Sequence, residues 1–173
     1  LDFRIYIKKE EFKEGGDEKF DDKNQMAREM LVKANSNGIP FLYVVGDSWF
    51  FSRETAELTA SLGKVWIFES KKDRVVLMPQ GWAKTIPKEK LKQVTVKYKG
   101  KQDTFWCYED NLRMRSMGGE RVVVSYSKPE GEPNFYCSNK PDMKADKMLN
   151  VYARRWSPST GMPSRNWAWR IMR

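Results

Sequence analysis

The sequence contains no histidine, and its two cysteines, Cys107 and Cys137, stand far apart. Cysteine–histidine catalysis is therefore excluded and no zinc ligand set can be assembled. Any metal would have to be held by oxygen, which favours magnesium or manganese. Long hydrophobic runs are also missing: no window approaches the roughly 20 consecutive apolar residues of a membrane-spanning helix. The opening "LDFRIYIKKEEF" lacks the basic-then-apolar order of a secretory signal. These absences predict a soluble, cytoplasmic protein with no membrane partner.

What is present bounds the fold. With 173 residues, 40% hydrophobic and 13% aromatic, the chain can bury one substantial core and is too aromatic to be disordered. A single domain is the default. The net charge of +9 and pI near 9.5 point to a polyanionic partner. Between Lys71 and Lys101 ten Lys/Arg face two acids, Asp73 and Glu89. Such a cluster suits phosphate contacts that release counterions; a solvated basic face is the alternative.

Along the chain, "LDFRIYIK" alternates as a strand with one buried face, and "KEEFKEGGDEKFDDK" reads as a charged loop. Residues 23–37 carry helical spacing, with Met26, Met30, Leu31 and Ala34 on one face, Asp22 as N-cap, Gln25 three residues on, and Gly38 as the stop. "FLYVV" is a continuously apolar run, as in a strand covered on both sides. A second helix follows, capped by Ser52, packed through Ala56, Leu58, Ala60 and Leu62, and ended by Gly63. "VWIF" is the next buried strand. Helix, strand, helix, strand with short connections implies parallel strands.

Beyond Arg74 the style changes to short alternating segments broken by glycine, proline and charge, the pattern of an antiparallel meander. "DMKADKMLNVYARRW" then reads as a helix packed through Met143, Met148, Leu149 and Tyr152. After Trp156 no period survives.

In "FLYVVGDSWFFSRET" an acid, Asp47, ends a buried parallel strand, the edge of an open α/β sheet where ligands bind. It could instead cap the following helix, but Ser52 stands closer to do so. Trp49 and Phe50 behind it could stack on an unpaired base or belong to the core. Arg53, in the first helical turn, is expected in solvent.

Four pieces carry a resemblance to a known family. "PFLYVVGDSWFFSRETAELTASLGKVWIFESKKDR", "LDFRIYIKKE", "FYCSNK" and "LNVYARRW" stand in the order seen in the DDE transposases of bacterial and archaeal insertion sequences, whose core is RNase H-like. The resemblance covers residues 1–156. It implies a partial RNase H-like core over 1–74, a mixed sheet with flanking helices, an antiparallel β insertion over 75–133, and the final strand and helix over 134–156. In that family three carboxylates hold two Mg2+ (or Mn2+) ions for DNA strand cleavage and strand transfer, and the intact proteins can act as homodimers.

By the resemblance Asp47 is the second carboxylate, a catalytic and metal-binding residue, and the partner is DNA. Lys71 matches the strand-end lysine, Lys72 and Arg74 extend its charge, and Tyr152 and Arg155 contact phosphates. The departures are as informative. The family's first aspartate belongs to a strand upstream of "LDFRIYI" that has no counterpart here. Its helix motif runs Tyr, two residues, Arg, three residues, Glu, six residues, Lys; Tyr152 and Arg155 open it, but Ser159 and Asn166 fill the glutamate and lysine positions. With two of three carboxylates missing, an inactive copy is expected.

The tail over 157–173 reads as aberrant. One permitted codon set for it, shifted by two nucleotides, yields a string ending Leu-Gly-Leu-Glu-Asp-Tyr, similar to the family's continuation, so a frameshifted remnant is expected. The competing function class is a non-catalytic basic nucleic-acid-binding module.

Overall fold

The computed structural model describes residues 22–71, 76–98, 100–115, 117–155 and 170–172. The "LDFRIYI" strand, the charged loop after it, and Lys72, Arg74 and Trp156 lie outside the described residues. The chain divides into two compact units, Leu1–Pro40 and Phe41–Arg173.

In the first unit, α1 spans Lys23–Ser36. Its start is set by local chemistry: the Asp22 carboxylate accepts from the Gln25 N–H at 2.8 Å, satisfying a donor that a helix start leaves open. The Gln25 side-chain NH2 donates to Glu29 one turn along the helix. Gly38, with φ +66°, takes the left-handed turn that stops the helix. The buried positions are Ala27, Leu31 and Ala34, while Met26 and Met30 are half-exposed. Leu31 and Ala34 thus pack as expected, whereas the two methionines lie towards the margin of the buried face.

The second unit holds a mixed sheet flanked by helices. Its strands are β1 (Tyr43–Gly46), β2 (Val65–Ser70), β3 (Lys92–Tyr98), β4 (Lys101–Arg113), β5 (Gly119–Tyr126), β6 (Asn134–Ser138) and β7 (Arg170–Met172), in the spatial order β3-β4-β5-β6-β2-β1-β7. β1 and β2 are parallel, with Gly46 opposite Phe68. β3 to β6 form the expected antiparallel meander. β6, expected as the final strand of the core, pairs with β2 on one side and β5 on the other, so meander and parallel pair are one sheet. Asn139, just past β6, strengthens this seam by accepting from the Trp66 N–H and donating to the Lys64 carbonyl. The tail without a period still contributes β7, antiparallel to β1.

Consecutive residues Trp66, Ile67 and Phe68 are all buried. Since neighbours on a strand point to opposite faces, both faces of β2 are covered. On one face Val45 and Ile67 lie in a core with Met148, Leu149, Val151 and Tyr152 of α3 (Ala145–Ala153). On the other, Phe51 stacks on Phe68 with centroids 5.3 Å apart. Helix α2 (Arg53–Ser61) packs on β2 and is capped by Ser52, whose Oγ accepts from the Thr55 N–H at 3.2 Å. Its buried side is Thr55, Ala56 and Thr59, so Ala56 packs as expected, while Leu58 and Leu62 are half-exposed and Ala60 is exposed. Thr59 is tolerated there because its hydroxyl donates to the Thr55 carbonyl at 2.8 Å. Of the expected segment Val75–Leu77, Val76 makes a single bridge to Met114.

Candidate functional site

The carboxyl ends of β1 and β2 carry the site. Gly46 delivers Asp47 there: a Cβ at residue 46 would lie 2.7 Å from the Phe68 ring, so only glycine lets the two strands close at this level. After Asp47 the chain turns sharply. The Asp47 carboxylate accepts from the Trp49 N–H at 3.0 Å, and its carbonyl accepts from the Phe50 N–H at 3.2 Å. The turn separates the two aromatics: Phe50 is buried, whereas Trp49 is 57% exposed. Ser52, not Asp47, caps the helix, so the carboxylate is left for another task.

That task comes from the end of α3. Arg155 Nη1 lies 3.5 Å from Asp47 Oδ2, with the two side chains 6% and 13% exposed. One turn earlier, the Tyr152 hydroxyl donates to Glu69 Oε2 at 2.8 Å. Glu69 follows Phe68 as Asp47 follows Gly46, so the two carboxylates stand level on neighbouring parallel strands. Spacing of three residues places Tyr152 and Arg155 on one side of the helix end, and each meets one strand-end acid. The Arg155 guanidinium also lies 5.2 Å from the Tyr152 ring centroid. Tyr136 of β6 completes the cluster, edge-on to Tyr152 with centroids 4.7 Å apart. Burial, and then the Glu69 charge, push both phenols above their ordinary pKa, so they remain protonated donors at neutral pH.

Lys71, just past β2, holds its ammonium 4.8 Å from the centre of the Trp49 ring. An exposed aromatic and a cation thus flank the two carboxylates. Arg53 is exposed and pairs with Glu57 one turn along α2. Of the expected binding residues, Asp47, Trp49, Lys71, Tyr152 and Arg155 meet at this edge. Tyr152 and Arg155 point inward to acids rather than outward to solvent. The basic run after Lys71 is partly neutralised, since Lys84, Lys88 and Lys92 pair with Glu132, Glu130 and Glu109.

Glu69 was missed in the sequence, although its signal matches that of Asp47: a lone acid closing an apolar run, here "VWIFES".

Whether these residues suit a divalent ion can be judged from the donors. Asp47 is occupied by Arg155 and the Trp49 N–H, and Glu69 by Tyr152. Among the described residues no group of three or more Asp, Glu, Cys or His side chains converges. This donor set does not fit a resident Mg2+ or Mn2+. Among the described residues no helix is long and apolar enough to cross a membrane. No protein-family model matches the chain, and comparison with characterised proteins finds no match.

Proposed function

We propose that the chain is an RNase H-like core of the DDE transposase kind that binds DNA at the carboxyl edge of β1 and β2 and does not itself cleave or transfer strands. The observation that carries this reading is the meeting of Asp47 with Arg155 across 108 residues of sequence. The resemblance requires the second carboxylate and the Tyr-x-x-Arg helix to share one crevice. Lys71 and Trp49 beside them supply a charge for a phosphate and a face for a base. Cleavage in that family depends on three carboxylates; here Ser159 stands at the third position, and Asp47 is paired with a cation.

The same ion pair favours a second reading, a basic nucleic-acid-binding module that never used metal. Fluorescence anisotropy with a labelled duplex separates the two, using a salt series with and without Mg2+ for the wild type, Trp49→Ala and Lys71→Ala. Affinity that falls steeply with salt is expected in either case. Affinity that drops in Trp49→Ala and in Lys71→Ala, with Mg2+ adding nothing, favours a transposase-type edge that has lost its metal. Indifference to both substitutions favours the module, and absence of binding at low salt removes both readings.

A further inference from the structure

The mismatch between the donor set and a divalent ion has a specific cause in this chain. We infer that Arg155 takes the place a cation would hold at Asp47 and thereby excludes divalent metal from the strand end. The inference takes the transposase reading as the reason to expect an ion there, but its geometry stands on its own. A guanidinium carries only donors, so it can neither coordinate a metal nor share a carboxylate lone pair with one. Its nitrogen is 3.5 Å from Asp47 Oδ2, and the other carboxylate oxygen accepts from the Trp49 N–H at 3.0 Å.

An ion approaching Asp47 would have to displace this arginine, and the arginine is poorly placed to leave. Its side chain is 6% exposed, so pulling it from Asp47 separates two charges held largely away from water, and such pairs resist separation. Its plane is steadied by the Tyr152 ring, and Tyr152 is in turn fixed by Glu69. Mg2+ demands near-octahedral oxygen ligation and gives up water reluctantly. With a guanidinium against one Asp47 oxygen, an N–H against the other and a phenol on Glu69, the described residues of this edge offer it no carboxylate without a partner and no approach away from positive charge.

The test is Mn2+ binding followed by the loss of the free-ion electron paramagnetic resonance signal, on the full chain without DNA. Wild type is expected to leave the signal unchanged apart from weak uptake that Asp47→Asn does not alter. Arg155→Gln is expected to gain saturable binding, and the double variant Asp47→Asn/Arg155→Gln to lose it. Arg155→Lys, which keeps a cation in place, is expected to stay silent. Saturable wild-type binding that disappears in Asp47→Asn overturns the inference, and so does Arg155→Gln with native circular dichroism and no gain. Should Arg155→Gln fail to fold, the wild type against Asp47→Asn comparison still decides. DNA affinity measured on the same samples tests the functional reading separately: its absence would defeat that reading and leave the metal result standing.

Discussion

Gly46 and Tyr152 show how much of the site rests on single groups. A methyl group at residue 46 would press on the ring of Phe68, which is fully buried and stacked on Phe51, so it has little room to yield. Gly46→Ala is therefore expected to cost about 1–3 kcal/mol, the range for overpacking, read as a lower urea midpoint with an unchanged slope. Tyr152→Phe keeps the ring and removes only the hydroxyl that serves Glu69. Leaving a partly buried carboxylate short of a donor should cost about 1–3 kcal/mol by the same measurement. Asp47 was legible because an acid ending a buried run has no core role. Glu69 carries the same local signal, but its role depends on Tyr152, 83 residues away, which no local pattern encodes.

At the scale of elements, caps made by neighbouring residues were readable and caps made from afar were not. Asp22 and Ser52 each bond an N–H three residues on, and both helix starts follow from that local pattern. Helix α3 is different. Lys144 precedes it and offers no side-chain cap. The Ala145 N–H is instead satisfied by Glu109 of β4, at 2.8 Å and 36 residues away, and Glu109 also holds Arg121 at 3.1 Å.

Ser52→Ala should cost about 1 kcal/mol. Glu109→Ala should cost more, about 3 kcal/mol, because it uncaps α3 and strands the largely buried Arg121 charge together. Equal midpoints for the two variants in urea melts would mean that Glu109 is no cap. On α1 and α2 the packing of Leu31, Ala34 and Ala56 was read correctly, and the misses come from hydropathy, which ranks Met26, Met30, Leu58 and Leu62 above the Thr55 and Thr59 that pack inward.

For the whole molecule, the sheet order was beyond sequence reading, since the β6 to β2 seam depends on partners that no local period encodes. Within that sheet both thiols are sealed. Burial raises Cys107 from 9.0 to about 12, and raises Cys137 as well. A folded pKa above the unfolded one gives stability that is complete below the ordinary thiol value and lost as pH climbs through the folded one. Each thiol should remove about 1.4 kcal/mol per pH unit in that window. Urea midpoints should hold from neutrality to about pH 8.5 and then fall, with a shallower decline in Cys107→Ala. A flat profile to pH 11 would show the thiols to be open to solvent.

The Asp47–Arg155 and Tyr152–Glu69 bonds span 108 and 83 residues. Closures that long cost more loop entropy than the turn-linked pairings of the meander. An intermediate holding the meander but not this clasp would leave Asp47 bare while the rest of the sheet was already in place. The edge proposed for nucleic acid thus rests on long-range closure, and a ligand that bound there before the clasp formed would compete with the protein's own completion.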